Sequence, residues 1–412
     1  MHVLIAAHDV CPDPGSGGTG RYVTETASRL VSEGHDVAVL TRRRGGATYR
    51  ETIRGIEVYR YDLKVAEHSA PTIAQQLPSA LRRVKQCVDR VASDRSIDLL
   101  SFQGPITSAL VDRYVENDTP RVCMLHSPWP TEYWIRTREN SRLGTHRRVL
   151  NANARWVLER RVLDRSDRIH TLSRFMAKKL KAVYGTAASP TVIPGGVDVE
   201  RFTPNATPAE RIDGDPSFLT VRRLSARMGH PLLFNAFARV IKDHPNAQLY
   251  VTGDSPLRGA LETRTERLGI GEQVTFLGYV PDADLPGAYA AADCFVLPTT
   301  DLEGFGLATT EALASGTPVI ATPIGATPEI LGDLRECSAF DADPLVASAS
   351  PTALAQGMNA WAELSNEQRR KAGRASRRYA EEHYRWEQTV ANVETNWQRT
   401  IAETGNMPAD EL

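Results

Sequence analysis

The chain has 412 residues, of which 41% are hydrophobic and 24% are charged, and its formal net charge at pH 7 is -1. This length exceeds what one hydrophobic core usually organises, so we expect two domains. The near-zero net charge provides no long-range field that would attract nucleic acid or an anionic membrane, and we expect no nucleic-acid partner.

The cysteines and the N-terminus indicate the compartment. Five cysteines lie far apart, with no Cys-x-x-Cys pair, which argues against a zinc site or a disulfide framework and favours a reducing cytoplasm. The first residues form a short apolar run without a basic flank, which predicts a β-strand and not a signal peptide. No stretch approaches the ~20 apolar residues of a transmembrane helix. We expect a cytoplasmic protein.

In the first half, short apolar runs alternate with helix-length amphipathic segments, a pattern typical of a parallel sheet covered by helices. Helices are predicted over Tyr22–Glu33 and Ala74–Val91. The predicted strands are Val3–Ala7, Val37–Leu40, Val58–Tyr61, Leu99–Gln103, Arg121–His126, Ile169–Ser173 and Val192–Pro194.

The same alternation restarts after Phe202–Pro216, a non-periodic segment rich in Pro, Asn, Asp and Gly that we interpret as a linker. Residues 1–205 are therefore predicted as an N-terminal domain and 206–384 as a C-terminal domain. The segment Gln356–Thr404 reads as helical throughout, and its part at about 385–405 is expected to pack back on the first domain. The second set of predicted strands is Phe218–Arg222, Leu249–Gly253, Val274–Leu277, Cys294–Pro298 and Pro318–Ala321.

The most specific motif runs from Glu303 to Glu311, directly after a predicted strand, with Gly-Phe-Gly at 304–306. Glu303 is expected on the loop and Glu311 about two turns into the next helix. Both carboxylates can face one ligand only if the glycine-rich turn bends between them. The glycines allow backbone N–H groups at the helix N-terminus to approach an anion or a sugar. The non-functional alternative is a pair of solvated surface acids.

This Glu-x7-Glu motif resembles the donor-binding motif of retaining GT-B glycosyltransferases of family GT4, the group 1 glycosyl transferases. The resemblance implies an α/β protein of two doubly wound, Rossmann-like domains facing a cleft, with a nucleotide-sugar donor held mainly by the C-terminal domain. It covers nearly the whole chain, with further motifs at Gly15–Gly20, His126, Ser173, Ile193–Asp198, Val221–Leu224, Thr252–Asp254 and Phe276–Pro281.

The resemblance also implies roles for the donor-binding residues. Glu311 would bind the donor ribose, and Glu303 would bind hydroxyls of the transferred sugar, since a carboxylate accepts several hydrogen bonds. The backbone N–H groups of Phe305, Gly306 and Leu307 would line the sugar and the diphosphate. From the neighbouring motifs, Gly253, Tyr279 and Val280 join the donor-binding set.

The expected diphosphate clamp departs from the family pattern. Members typically show Arg-Leu-x3-Lys-Gly, whose Arg and Lys bind the diphosphate, and here Arg223 is present but Met228 stands at the lysine position. A thioether cannot neutralise a phosphate. Arg227 is the expected substitute, because a guanidinium binds phosphate bidentately; a solvated cation at the helix entry is the alternative.

The loop Gly15–Gly20 matches the dinucleotide-binding pattern G-x-G-x-x-G. It lies seven residues beyond the first strand, and the acidic residue expected after the second strand is replaced by three arginines, so NAD(P) binding is disfavoured. The GT4 resemblance instead places Gly17 and Gly18 against the donor phosphates, with Thr19 and Arg21 closer to the acceptor.

His126 follows an apolar strand, where a lone histidine is as often structural as functional. In the GT4 family the matching histidine lies close to the reacting sugar, so we assign His126 a catalytic role together with Arg223 and Glu303. Trp129, Glu132 and Trp134 follow it and would form an acceptor platform, with ordinary packing as the alternative.

Two further signals receive structural interpretations. The Asp-x-Asp pairs at 213–215, 282–284 and 341–343 resemble metal-binding motifs of another transferase fold, but they lie away from the expected donor loops. We therefore expect no metal, and no cofactor besides the nucleotide-sugar co-substrate. The basic residues of Ala74–Val91 are compatible with membrane contact, although a solvated helix face is favoured. We expect a monomer or homodimer.

The sequence therefore predicts a retaining, metal-independent hexosyltransferase. The UDP-sugars are the favoured donors, with GDP- and ADP-sugars as alternatives, and the acceptor is a hydroxyl of a sugar, small natural product or glycan or lipid precursor. The resemblance implies a front-face displacement. A GT-B-fold UDP-sugar epimerase, a pyridoxal-dependent phosphorylase and a non-catalytic nucleotide-sugar-binding protein are the alternatives.

Overall fold

A computed structural model describes residues 1–64, 70–138, 144–185, 189–209, 211–337 and 340–405. By its internal contacts the chain divides into two compact units, Met1–Pro194 with the segment from Trp386 onward, and Gly195–Arg385. The change of unit thus falls at Pro194–Gly195, before the irregular segment that the sequence suggested as a linker. That segment belongs to the second unit, where the ring of Phe202 packs edge-on against Tyr289.

Within the described residues of the first unit, the strands are β1 (His2–Ala7), β2 (Asp36–Arg42), β3 (Arg50–Ile53), β4 (Ile56–Tyr61), β5 (Leu99–Gln103), β6 (Arg121–Leu125), β7 (Arg168–Thr171) and β8 (Thr191–Val192). They form one sheet in the order β3-β4-β2-β1-β5-β6-β7-β8, parallel except for the β3–β4 pair. The helices of this unit are α1 (Gly18–Ser32), α2 (Ala70–Val91), α3 (Pro105–Val111), α4 (Trp129–Thr137), α5 (Thr145–Asp164) and α6 (Arg174–Tyr184), which precede the second unit, and a C-terminal helix, Trp386–Gly405.

The central strand β1 explains why this sheet needs helices on both faces. Val3 and Ile5 pack with residues of α1 and of the C-terminal helix, whereas Leu4 and Ala6 pack with residues of α2 and α3. Successive side chains of a strand point to opposite faces, so a continuous apolar run demands a cover on each. The apolar face of α2 is buried in this core.

The second unit is built in the same way. Its strands are β9 (Ser217–Val221), β10 (Gln248–Thr252), β11 (Val274–Gly278), β12 (Cys294–Leu297) and β13 (Val319–Ala321). These strands form an all-parallel sheet in the order β11-β10-β9-β12-β13. The described helices are α7 (His230–Asp243), α8 (Arg258–Arg267), α9 (Leu285–Ala291), α10 (Leu307–Ala314), α11 (Thr327–Arg335), α12 (Pro351–Ala362) and α13 (Asn366–His383), so the C-terminal helix Trp386–Gly405 is α14.

The predicted strands are confirmed to within two residues at each end. The segment Gln356–Thr404, expected to be helical throughout, is helical except for two short breaks that divide it among α12, α13 and α14. Ser365 caps α13 in a reciprocal capping box with Gln368, which ends the preceding helix and starts a new one. Among the described helices, none combines the length and apolar character needed to cross a membrane.

Candidate active site

Glu303 lies on the loop between β12 and α10, at the carboxyl end of the second unit's parallel sheet. Glu303 is only 8% exposed to solvent. Carboxylate oxygen Oε2 accepts hydrogen bonds from Arg222 Nη2 at 2.6 Å and from Thr299 Oγ1 at 3.0 Å. The carboxylate is therefore held in place by donors, with its other oxygen available for further hydrogen bonds.

The backbone around Glu303 is held from two sides. Leu302 adopts a φ of 48°, a conformation that costs a non-glycine residue energy, and Arg227 Nη1 donates to its carbonyl oxygen at 2.9 Å. On the other side Ala326 N donates to the Glu303 carbonyl at 2.9 Å. Gly325 permits that approach, since a Cβ there would lie 2.3 Å from the Glu303 oxygen. Strain and fixed position are typical of residues that serve a site.

The electrostatics of Glu303 favour its charged form. Burial alone would raise the pKa of the carboxyl, but the positive charges of Arg222 and Arg227 outweigh it and hold the pKa below its usual range. Glu303 is therefore an ionised, preorganised acceptor for hydroxyl groups at neutral pH.

Arg222 is a site residue that the sequence motifs did not identify. It follows β9 directly, and its Nη2 contacts Glu303, the Thr299 hydroxyl at 2.9 Å and the sulfur of Met228 at 2.8 Å. The predicted phosphate ligand Arg223 is exposed. Adjacent residues of an extended chain point to opposite sides, so Arg222 and Arg223 project apart. The signal was present in the sequence as Arg222 itself, a charged residue at the end of a buried strand.

Glu311 lies one turn into α10, closer to the helix start than expected. It is 7% exposed, and its Oε2 accepts a hydrogen bond from the buried hydroxyl of Tyr289 at 3.0 Å. Glu303 and Glu311 thus flank the N-terminus of α10, and the bend expected between them is provided by Gly306, whose φ is 97°. The first N–H groups of a helix have no intrahelical acceptor, so this end can bind an anion.

The remaining donor-site residues of the second unit take different positions. The Phe305 side chain is buried against Gly195 and Tyr384, so only its backbone can face a ligand, as at Gly306 and Leu307. Gly253 follows β10 and donates its N–H to the Gly278 carbonyl at 2.7 Å. Tyr279 and Val280 follow β11, and the Tyr279 side chain is 77% exposed.

In the first unit, the glycine-rich loop leads into the N-terminus of α1. Gly17 caps this helix and Gly18 begins it, so Thr19 and Arg21 lie in its first turn. Arg21 N already donates to the Gly17 carbonyl at 2.9 Å. The helix N-terminus offers N–H groups to an anion in the way that the phosphate role requires.

His126 directly follows β6, as predicted. Its ring meets Tyr22 edge-on at 5.1 Å, and its Nε2 lies 3.3 Å from Gln103 Oε1. Because a carbonyl oxygen only accepts, this contact places the ring proton on Nε2 and leaves Nδ1 as an acceptor. Burial lowers the pKa of His126 to about 4, so the imidazole is neutral at physiological pH.

The residues after His126 are engaged with α5. Trp129 N donates to Glu159 at 2.7 Å, and the Arg155 guanidinium covers one face of the Trp129 ring at 5.0 Å. Glu132 accepts a hydrogen bond from the Ser127 hydroxyl at 3.2 Å, and Trp134 is 39% exposed. One face of the expected acceptor platform is thus already occupied by a protein cation.

The three Asp-x-Asp pairs make contacts of their own. Asp215 pairs with Arg369, Asp282 with Arg201 and Asp343 with Arg335. In the part of the chain that the structure describes, no group of three His, Cys, Asp or Glu side chains converges as around a metal ion.

Comparison with known proteins is consistent with these observations. Over 241 residues the chain is 29% identical to the GDP-mannose-dependent alpha-(1-6)-phosphatidylinositol monomannoside mannosyltransferase of Mycolicibacterium smegmatis, covering 55% of this chain and 61% of that protein. It is 26% identical over 347 residues to mannosylfructose-phosphate synthase of Agrobacterium fabrum, covering 78% and 74%. The chain thus spans about three fifths of the length of the mannosyltransferase that it matches.

Among solved structures, sucrose-phosphate synthase from Thermosynechococcus elongatus superposes with a TM-score of 0.76 at 22% identity, over 97% of this chain and 99% of that one. This likeness shows the fold, which is the GT-B fold. The family model described as Glycosyltransferase Family 4 matches residues 16–201, and the model described as Glycosyl transferases group 1 matches residues 204–379. The chain therefore belongs to the GT4 family of group 1 glycosyl transferases.

Proposed function

We propose that this chain is a retaining hexosyltransferase that moves a sugar from a nucleoside-diphosphate sugar to an acceptor hydroxyl. One observation carries the proposal: an ionised, buried Glu303, fixed by Arg222 and Thr299, lies just before the N-terminus of α10, and Glu311 lies one turn into that helix. This arrangement combines hydroxyl acceptors with anion-binding groups at the carboxyl ends of parallel strands, where open α/β sheets bind ligands.

In this proposal each part of the donor has its own partner in the second unit. Glu303 accepts hydrogen bonds from hydroxyls of the transferred sugar, and Glu311 accepts them from the ribose. The diphosphate binds the backbone N–H groups of Phe305, Gly306 and Leu307 at the start of α10. Arg223 and Arg227 supply positive charge in place of the absent lysine, whereas the charge of Arg222 is paired with Glu303.

The chemistry is a front-face displacement. The bond between the anomeric carbon and the diphosphate oxygen breaks, the acceptor oxygen bonds to the same face, and the acceptor proton passes to the departing phosphate. Negative charge grows on the diphosphate as it leaves, so the arginines and the helix N-terminus stabilise the transition state more than the bound donor. The backbone N–H groups of Gly17 and Gly18 at the start of α1 also stabilise the negative charge on the leaving diphosphate in this scheme.

His126 is proposed to contact a hydroxyl of the reacting sugar. As a neutral imidazole with a free acceptor at Nδ1, it accepts a hydrogen bond without adding a positive charge next to the oxocarbenium-like centre. No metal and no cofactor besides the nucleotide-sugar co-substrate takes part in this scheme. The acceptor binds the first unit, near Thr19, Arg21, Trp129 and Glu132.

The donor base is the point to be tested first. UDP-sugars are the donors favoured from the sequence, and GDP-mannose joins them because a relative at 29% identity is named as dependent on it. Thermal unfolding of the purified chain is measured with UDP-glucose, GDP-mannose and ADP-glucose. A ligand that binds only the folded state raises the melting temperature, so the true donor is expected to raise it and the others much less.

The same thermal-unfolding measurement is repeated on the donor-site variant Glu311→Ala. The control variant is Glu266→Ala, on the exposed face of α8. Glu311→Ala is expected to abolish most of the donor-induced rise, and Glu266→Ala to leave it unchanged. Equal responses of both variants would contradict the donor site. Conversion of the donor into an isomeric nucleotide-sugar would instead favour the epimerase, and binding without any turnover would favour a sensor protein.

A further inference from the structure

A cluster of basic side chains lies at the ends of β1 and β2 in the first unit. His8 follows β1, Arg42 ends β2, and Arg44 lies two residues beyond. Arg42 Nη2 lies 3.3 Å from Nδ1 of His8, and Arg44 Nη2 lies 3.0 Å from Nε2 of the same ring. The two guanidinium groups therefore approach both nitrogens of one imidazole.

This arrangement leaves at least one donor facing another donor, although Nη1 of Arg44 also donates to the Gly15 carbonyl oxygen at 3.4 Å. A neutral imidazole has a single acceptor nitrogen, and a protonated one has none. In either protonation state at least one arginine N–H group therefore faces another donor. In addition, Nε of Arg42 is buried and has no hydrogen-bond partner. A missing acceptor beside two cations is what an anionic ligand would supply.

The electrostatics agree with the geometry. Burial, together with the charges of Arg42 and Arg44, lowers the pKa of His8 to about 3, so the ring is neutral at physiological pH. Burial also lowers the pKa of Arg42, with Arg44 adding to the effect and with Tyr61 and Asp9 opposing it. By contrast, the hydrogen bond to Asp62 raises the pKa of the neighbouring Arg43. Arg43 has its counter-charge within the protein.

The other charged groups around the cluster can be named. The carboxylate of Asp9 lies 3.6 Å from Nη1 of Arg44, which is an ion-pair distance although longer than a hydrogen bond, and its charge also acts on Arg42. Arg136 on α4 is close enough to His8 to help lower its pKa. His8 is fixed by close packing, since a Cβ on Gly104 would lie 2.5 Å from the His8 backbone nitrogen. The cluster is thus a fixed, predominantly positive patch at the carboxyl end of a parallel sheet.

We propose that Arg42 and Arg44 bind a phosphoryl group carried by the acceptor. This inference rests on the proposed function, because it assigns the first unit's strand ends to the acceptor and names its class. A phosphoryl group has several charged oxygens that match two converging guanidinium groups. The phosphorylated acceptor is a soluble sugar phosphate or the headgroup of a phospholipid, and both present the same chemistry to the site.

The test measures binding by the full chain, without turnover. Glucose, fructose and myo-inositol are titrated calorimetrically beside their monophosphates, with inorganic phosphate as a further probe. A parallel series measures co-sedimentation with phosphatidylcholine vesicles, with and without phosphatidylinositol. The variants are Arg42→Gln and Arg44→Gln, and Arg43→Gln is the matched control because its charge is paired with Asp62. Circular dichroism checks that each variant folds, and Arg44→Gln alone tests the proposal if Arg42→Gln does not fold.

The expected result is that a phosphorylated probe binds about tenfold or more tightly than its unphosphorylated twin. Arg42→Gln and Arg44→Gln are each expected to lose about tenfold in that affinity, and Arg43→Gln to lose none. Preference for the sugar phosphates identifies a soluble acceptor, and preference for phosphatidylinositol vesicles identifies a lipid one.

The proposal is overturned if phosphorylated and plain probes bind alike, if no phosphorylated probe binds, or if all three variants behave like the wild type. Donor binding is measured separately on the same samples by thermal shift with UDP-glucose and GDP-mannose. Loss of donor binding alone in Arg42→Gln would assign the cluster to the donor. Phosphate binding in a protein that binds no donor would reject the proposed function and keep the anion site.

Discussion

The strand ends of the two units carry positive charge in contrasting ways. In the second unit, Arg222 forms a buried ion pair with Glu303 that also includes the Thr299 hydroxyl. In the first unit, Arg42 and Arg44 converge on a neutral histidine that cannot satisfy both. The first arrangement is complete without a ligand and presents a fixed carboxylate. The second leaves at least one arginine N–H group facing another donor, and in our proposals the first edge is therefore preorganised for hydroxyls and the second for an anion.

The largest expected effect comes from breaking the completed pair. Arg222→Ala leaves Glu303 as a buried charge without its main partner, and we expect the free energy of unfolding to fall by about 3–5 kcal/mol. Urea unfolding measures it. The control is Arg43→Ala, whose ion pair with Asp62 is solvent-exposed and is worth about 0–1 kcal/mol.

The same pair provides a test of coupling. Arg222→Met combined with Glu303→Gln removes both charges, so the double variant is expected to be more stable than Arg222→Ala. Losses of equal size for Arg222→Ala and Arg43→Ala would show that the two edges do not differ in the way described.

A smaller change at the same site concerns turnover. Glu303→Gln keeps the shape of the side chain but removes its charge, and we expect the rate of sugar transfer to fall about 100-fold. Steady-state kinetics with the donor found by thermal shift measures it, with Glu266→Gln as the control. A rate within about twofold of the wild type would exclude Glu303 from the reacting centre.

The pH dependence of stability tests the neutral histidine at the first unit's edge. The pKa of His126 is lowered to about 4, whereas an unfolded chain takes up this proton near the ordinary value of 6.5. The contribution of neutral His126 to the free energy of unfolding is therefore fully present above pH 6.5 and is lost as the pH falls toward 4. His126→Gln is expected to flatten the slope of unfolding free energy in this window by up to about 1.4 kcal/mol per pH unit. An unchanged slope would place the histidine in water.

The smallest effect on stability is expected at the cluster of His8, Arg42 and Arg44. Because burial and the nearby Arg44 both disfavour the charge of Arg42, with the Asp9 carboxylate opposing them, Arg42→Gln is expected to change the unfolding free energy of the ligand-free protein by less than about 1 kcal/mol, or to raise it. Urea unfolding beside Arg222→Ala measures the contrast. A loss as large as that of Arg222→Ala would mean that Arg42 serves the fold.

Much of the fold was predictable, because apolar runs such as Val3–Ala7 identify buried parallel strands. The antiparallel strand β3 was missed, since Arg50–Ile53 alternates in exposure at the sheet edge and contains no apolar run. The positions of Glu303 and His126 after their strands also followed from the sequence, whereas Glu311 lies one turn nearer the helix start than expected. Arg222 and the cluster at His8 did not, because their contacts join residues from different strands, which no single motif contains.

The measurement that tests the central claim most directly is proton NMR of the first product formed from an α-linked nucleotide-sugar. The acceptors are the probes that bind the chain, with water as the acceptor when none is used. A front-face displacement predicts that the anomeric configuration of the first product is the same as that of the donor. A first product with inverted configuration, or an isomerised nucleotide-sugar, would contradict the account.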